Sequence, residues 1–484
     1  MLEKIDYGEL GLKCGLEIHQ QLDTRKLFCN CKSILRKDEP DYEIRRKLHA
    51  VAGESGKIDI AAKYQTSLDK EFIYQGYDSV CLVELDEEPP HEINQEALKI
   101  ALQIVSFLNA KIIPLTQIMR KTVIDGSNTS GFQRTVIIAK DGYINTSKGK
   151  VRIESICVEE DAARIIEKRK DNTLYRLDRL GIPLIEIATA PDIKTPEQAK
   201  EVALNLGDIL RSCKVKRGIG TIRQDVNVSI KKGARTELKG FQNIRIIEIA
   251  IEKEVKRQLN LINKKEQVKS EVRNVLDNGE SEFLRPIPGS ARMYPETDLP
   301  ILKISRNLIN IAKKELPRLL KDVEEELIKK GLNQEMIRLL FKQKKVEEFK
   351  FLLDIYDNTK IVANILLVYP KEIAKHKNLE LDKVNKMLSE DVLGYILDKV
   401  DKRDLLETQI KLVLERVVQG VDFRKAVKFD KKNINELEEI IMRLIKEKPG
   451  LSEKAYMGLI MKNPELKEVV DGKKVIEIIK KFLS

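Results

Sequence analysis

The stretch Arg223–Ile230 alternates strictly, with Arg223, Asp225, Asn227 and Ser229 interleaved by Gln224, Val226, Val228 and Ile230. A period of two places the polar set on one face of a β-strand and the mostly apolar set on the other. Three further segments set an acid in a similar context: Leu16-Glu17-Ile18-His19, Val158-Glu159-Glu160-Asp161 and Pro183-Leu184-Ile185-Glu186-Ile187. In the first of these, alternation turns Leu16 and Ile18 one way and Glu17, His19 and Gln21 the other, so a carboxylate and an imidazole point together. A sheet with one solvated face would explain any single acid here. Glu186 is harder to explain in that way, because its apolar flanks predict burial and a buried carboxylate is costly unless paired or bound to a cation. Oxygen ligands with one nitrogen suit Mg²⁺ or Mn²⁺, and without a clear Cys/His cluster a structural zinc core is disfavoured.

The 484 residues suffice for about two to four domains. Residues 1–298 alternate short strand-like runs with turns and helices. Asn94–Leu108 and Glu197–Cys213 read as helical, the second opening at Thr195-Pro196 as an N-cap followed by proline. Val136–Ala139 reads as a strand ended by the turn Lys140-Asp141-Gly142. Proline-rich punctuation at Arg285–Gly289 and Tyr294–Pro300 ends this α+β half. From Ile301 onward the helical period dominates, giving an all-α region over 299–426 and a small helical tail over 427–484.

Net charge is +11 at a pI near 9.0, which suits a polyanionic partner without establishing one. Abundant Lys and Glu with no Trp is a pattern of proteins from hot environments. No apolar run reaches membrane-spanning length and no signal-peptide core opens the chain, so a cytoplasmic protein is expected. The six cysteines lack disulfide-framework spacing. Cys29 and Cys31 could contribute to a zinc site, but with no second close pair, reduced thiols are the preferred reading.

Gly53–Lys57 fails as a Walker A loop, since the spacing is wrong and Ile58 follows the lysine. The segment Arg120–Gly131 is a better phosphate loop: Arg120 and Lys121 supply charge, Ser127, Asn128 and Ser130 supply donors, and glycines permit close approach. Composition alone leaves a plain surface turn open there. No nucleophile motif accompanies His19, His49, His91 or His376, which favours chemistry by metals and positioned phosphates.

In order along the chain, Gly15–Leu22, Arg120–Thr135, Val158–Ala162, Gly181–Ile193, Arg223–Ser229, Glu237-Leu238-Lys239 and Ala291–Asp298 together resemble the archaeal GatE branch of the GatB/GatE family of glutamyl-tRNA(Gln) amidotransferase subunits. Tyr456–Lys462 resembles the tail module of that family. The resemblance implies a cradle domain over 1–298 with a glutamine-synthetase-like antiparallel sheet, a helical domain and a YqeY-like tail that contacts tRNA. It implies that ATP phosphorylates the γ-carboxylate of Glu carried on tRNA(Gln), and that ammonia from an asparaginase-like partner, GatD, in a heterotetramer, then displaces the phosphate. By motif, Glu17, His19, Glu160, Glu186 and Asp225 correspond to the metal-site and catalytic residues, with ATP and Mg²⁺ or Mn²⁺ as cofactors. In the tail, Lys446, Lys448, Lys454 and Lys462 are the candidate tRNA contacts. Proteins of the GatE type carry a domain-sized insertion resembling part of an aspartyl-tRNA synthetase, which is expected to be absent here, leaving Asn263–Phe283 as a polar connector. Two other readings compete: a metal-dependent ATP ligase for a small carboxylic acid, and a non-catalytic tRNA-binding module.

Overall fold

The computed structural model describes residues 5–52, 56–241, 243–287, 292–428, 434–462 and 472–483. The chain divides into two compact units, Met1–Lys321 and Asp322–Ser484. The break falls later than the expected 298/299 boundary for a packing reason. Leu302–Lys303 pairs with Leu115–Thr116, and helix Arg306–Lys314 packs on helix Gln95–Phe107, so both belong to the first unit.

The first unit is α+β and is organised by one eleven-stranded sheet. Its strands are β1 (Lys13–Gln21), β2 (Lys111–Ile112), β3 (Met119–Thr122), β4 (Phe132–Thr146), β5 (Gly149–Glu160), β6 (Pro183–Thr189), β7 (Ile222–Ser229), β8 (Thr236–Lys239), β9 (Glu271–Val275), β10 (Ser281–Pro286) and β11 (Met293–Pro295). Their spatial order is β10-β9-β8-β7-β1-β6-β5-β4-β3-β11, with β2 also on β4. All pairs are antiparallel except β8 with β9.

One face of this sheet is dry. Leu16, Ile18, Val136, Ile156, Val158, Ile185, Ile187, Val226 and Val228 form its buried layer. Helices α1 (Gln95–Phe107), α2 (Pro196–Ser212) and α3 (Ile246–Asn263) pack here. Local chemistry fixes the starts of the first two: Asn94 accepts from the backbone N–H groups of Glu96 and Ala97, and Thr195 from that of Gln198, with Pro196 at the first helical position.

Two sequence expectations fail for tertiary reasons. Lys140–Gly142 is no turn, because β4 runs through it. Asp141 takes φ 54° there, and a Cβ on Gly142 would lie 2.7 Å from the Leu108 carbonyl oxygen, so only glycine fits. Nor is Asn263–Phe283 a bare connector: it contains β9 and the first half of β10, which extend the sheet beyond β8 and bury Val272. So short a segment needs no core of its own when it can borrow a sheet edge.

A second sheet, ordered Tyr42–Arg46, Glu71–Gly76, Asn172–Arg176, Arg164–Lys168, carries its own apolar cluster around Phe72, Tyr74 and Tyr175. The other unit is helical, and its described residues form two separate apolar clusters. One is built on Leu327, Phe349, Leu366, Ile396 and Leu414, and the other on Ile441, Tyr456, Ile460 and Ile479. Among the described residues, no helix is long and apolar enough to cross a membrane.

Candidate active site

The polar face of the large sheet lines an open cleft of about 1060 Å³. Strand register builds its floor. Glu17 on β1 lies opposite Asp225 on β7, and His19 lies opposite Glu186 on β6 and Arg223 on β7. One row further, Gln21, Leu184 and Glu159 align across β1, β6 and β5. Directly opposed residues share a face, so these side chains converge without any loop to place them.

Two clusters result. His19, Glu159 and Glu186 each offer a ligand atom within 4.8 Å of the others, and so do Glu17, Asp225 and Glu237. His19 Nε2 lies 3.3 Å from Glu186 Oε2 and 3.5 Å from Glu159 Oε1. A lysine serves each cluster. Lys121 Nζ donates to Glu159 Oε2 at 2.7 Å and lies 3.6 Å from Glu186 Oε2. Lys239 Nζ bridges Asp225 Oδ2 at 2.5 Å and Glu237 Oε1 at 2.6 Å.

The electrostatics follow from burial opposed by these neighbours. Burial would raise the Glu186 carboxyl, but Lys121 and His19 outweigh it and hold the group well below the usual carboxylate range. Burial would lower His19, yet hydrogen bonding to Glu186 and the charges of Glu186, Glu159 and Asp225 raise it above its ordinary value. Glu17 is raised, first by burial and then by Glu237 and Glu186. Lys239 is raised because Asp225 and Glu237 overcome the burial that would lower it. An acidic floor with these properties is suited to divalent cations.

Cations surround the floor. Arg179, Arg223, Arg235, Arg285 and Arg292 line the cleft together with Lys121 and Lys239. Arg223 is aimed by the fully buried Asp161, whose Oδ1 accepts from its Nη2 at 2.8 Å while Oδ2 accepts from Gln21 Nε2 at 2.6 Å. Arg235 donates from Nε to Asn227 Oδ1 at 2.9 Å, and Asn227 in turn donates to Glu17 Oε1 at 3.1 Å.

The structure therefore brings Glu17, His19, Glu186, Asp225 and Lys121 together, but not Glu160. Glu160 shares the strand face of Val158, where its Oε2 accepts from the Arg134 backbone N–H at 3.2 Å and pairs with the Arg134 guanidinium at 3.5 Å. Glu159 occupies the expected place. Alternation from Val158 could have revealed this, since an apolar residue two positions back marks the core face. Glu237 and Lys239 were also legible as the polar members of an alternating triplet. Arg179 carried no such signal.

The loop expected to hold phosphate does something else. Arg120 pairs with Glu296 at 2.5 Å and Asp298 at 2.9 Å, outside the cleft. Ser127 closes a turn on Asp125, Ser130 Oγ donates to the Phe132 carbonyl, and Asn128 is buried. Tyr74 and Tyr175 donate their hydroxyls to the Gly126 and Asp125 carbonyls, so the loop is packed against the second sheet. Only Lys121 reaches the cleft. In the tail, Lys446 closes helix Ile434–Glu447 and Lys448 follows it, both exposed. Lys454 and Lys462 lie on helix Glu453–Lys462, with side chains outside the described set.

Comparison with known proteins finds relatives across nearly the whole chain. The GatB/GatE catalytic domain family matches residues 12–310. The chain is 37% identical to the GatE component of glutamyl-tRNA(Gln) amidotransferase from Methanocaldococcus jannaschii, over 99% of this chain and 100% of that protein. It is 35% identical to the corresponding Methanosarcina barkeri protein, over 100% and 99% respectively. With the Methanococcus maripaludis C5 protein of the same name, identity rises to 51% over 62% of this chain and 46% of that one. The first alignment spans 631 positions against the 484 residues here, so at least 147 positions of the M. jannaschii protein face no residue of this chain.

Proposed function

Since this chain belongs to the GatB/GatE family of glutamyl-tRNA(Gln) amidotransferase subunits, we propose that its cleft phosphorylates the γ-carboxylate of Glu on tRNA(Gln) with ATP, for amidation by ammonia. The observation that carries this reading is the pair of acidic clusters on one sheet face in a cleft also lined by arginine and lysine. Joining a carboxylate to a γ-phosphate brings anions together, and the cost of that approach must be met in the cleft. His19, Glu159 and Glu186 would hold one divalent ion, Mg²⁺ or Mn²⁺, and Glu17, Asp225 and Glu237 a second. Bound there, such ions supply charge neutralisation and orientation of phosphate oxygens.

The chain's own cations have separate tasks in this proposal. Lys121 and Lys239 balance the acids in the absence of substrate. Arg223, fixed by Asp161, faces the phosphates, with Arg285 and Arg292 also lining the cleft. The eleven-stranded sheet with its helical backing serves as the glutamine-synthetase-like cradle. Ammonia comes from an asparaginase-like partner of the GatD kind, and Lys446 and Lys448 meet tRNA phosphates.

The test combines the purified chain with ATP, Mg²⁺ and Glu-tRNA(Gln), and follows ADP release and the γ-carboxylate. ADP formation that requires Glu-tRNA, followed by Gln-tRNA when ammonia is added, is the expected result. Turnover of free glutamate alone would favour the small-acid ligase. Tight tRNA binding without any ADP would leave only the binding module.

A further inference from the structure

Behind the sheet edge that carries Lys121 lies a buried carboxylate that the chemistry of the cleft does not use. Glu296 follows β11, and its side chain has no solvent exposure. We propose that Glu296 is a positioning residue: it sets the register of β11 on β3 and thereby holds Arg292 in the cleft. What Arg292 then does to substrate rests on the reading of the cleft given above.

Little else fixes β11. It stands at the end of the sheet order, and its three residues pair as Met293 with Lys121, Tyr294 with Arg120 and Pro295 with Met119. Pro295 has no N–H to give to the ladder. Register nevertheless matters, because a slip of one residue exchanges the two faces. On the front, Met293, Lys121 and Gln133 form one cross-strand row, and all three line the cleft. On the back, Tyr294, Arg120 and Arg134 form the next row. Arg292 directly precedes the strand, lines the cleft and donates from Nε to the Thr122 carbonyl at 3.1 Å. A slip of β11 therefore displaces a cation of the cleft.

Arg120 and Arg134 are directly opposed on β3 and β4, and like charges so placed are unfavourable without an anion between them. Glu296 is that anion. Its Oε1 accepts from Arg120 Nη2 at 2.5 Å and its Oε2 from Arg134 Nε at 2.8 Å, one oxygen for each strand. Oε1 also accepts from the Asp298 backbone N–H at 2.9 Å. The Glu296 backbone N–H donates to the Ile118 carbonyl at 2.8 Å, and its carbonyl accepts from Gln117 Nε2 at 3.1 Å. Both guanidinium groups lie over the Phe132 ring, 4.6 and 5.1 Å from its centroid, which steadies the fork that they make. A slip of one residue would bring Pro295 or Thr297 to the fork, and neither carries a charge. Buried ion pairs add little stability over apolar packing, and fixing register is their best-attested use.

The test uses the full chain with Glu296→Gln, Arg292→Met and both substitutions together. Amide exchange followed by mass spectrometry reads the register: in Glu296→Gln, residues 293–298 should exchange at least about 10-fold faster while β5 and β6 keep wild-type rates. Mn²⁺ binding should stay within about 2-fold of the wild type, since neither acidic cluster draws a ligand from β11. In ADP release with Glu-tRNA(Gln), Glu296→Gln should lower kcat/KM for ATP about 10–100-fold. The double variant should be no worse than Arg292→Met, because positioning has no effect once its object is gone. Losses that multiply in the double variant, wild-type exchange over residues 293–298, or lost Mn²⁺ binding would overturn the proposal. Absence of ADP from the wild-type chain would strike the reading of the cleft instead, and exchange would then decide the register. Should Glu296→Gln not fold, Arg120→Gln opens the same fork from β3 while Arg134 keeps Glu296, and the same three measurements decide.

Discussion

Replacing Glu159 and Glu160 separately by glutamine is the sharpest test of the cleft, because the two neighbours face opposite sides of β5. Glu159→Gln removes a charged ligand from a cluster of three. Altering an outer-shell partner of a metal ligand typically costs about 10–100-fold in affinity, so losing a ligand should cost at least about 100-fold, or about 2.7 kcal/mol at about 1.36 per decade. Stability should suffer less. Lys121 loses a partner at 2.7 Å but keeps Glu186 at 3.6 Å, so the cost falls below the about 3–5 kcal/mol of stranding a buried charge. We expect about 1–2 kcal/mol. Glu160→Gln reverses the pattern: Arg134 keeps Glu296 at 2.8 Å, the loss of its other partner costs about 1–3 kcal/mol, and ion binding is untouched. Mn²⁺ binding followed by electron paramagnetic resonance, alongside denaturant unfolding, separates the two effects. Lost Mn²⁺ binding in Glu160→Gln with wild-type binding in Glu159→Gln would refute the assignment of faces.

Three other outcomes follow from the same geometry. Lys239→Met removes the ammonium that bridges Asp225 and Glu237 and leaves only Arg235 and Arg285 to offset Glu237, so the divalent-free protein should lose about 1–3 kcal/mol and its Tm should rise more steeply with Mg²⁺ than the wild type's; parallel Mg²⁺ responses would contradict this. His19 is raised in the folded chain, so without divalent ions its contribution is fully present below the unfolded value of about 6.5 and is lost as pH rises through the folded value; His19→Gln should flatten that decline, and an unaltered slope of stability against pH would place the titration elsewhere. Lys446→Ala with Lys448→Ala should weaken tRNA binding and reduce the log–log salt slope by about 1 to 2, whereas an unchanged slope would make the tail structural only.

What could be read from sequence was whatever lay within one strand or one helix turn. Alternation around Glu17, His19, Glu186 and Asp225 gave their face, and Thr195-Pro196 gave a helix start within a residue. Alternation through Val158 held the answer for Glu159 as well, but two adjacent acids make either look suitable until the core face is identified. The Arg120–Gly131 loop misled because its donors suit a phosphate and a packed turn equally, and the tyrosines that decide between them come from strands far along the chain. The strands β9 and β10 were invisible for a similar reason: their polar residues become strand only because β8 offers an open edge.

Strand β1 contributes to both acidic clusters, Glu17 to one and His19 to the other. Two residues along a strand advance about 6.6–6.8 Å, and that pitch is a property of the backbone. The sheet thus acts as a fixed gauge between two charge-binding points. Side-chain substitutions can weaken either point, but they cannot change the spacing, and a slip of β1 by one residue would send both to the dry face. Variation in this enzyme should therefore be found in the arginines that line the cleft and in the loops, while the span between the two acidic clusters stays constant.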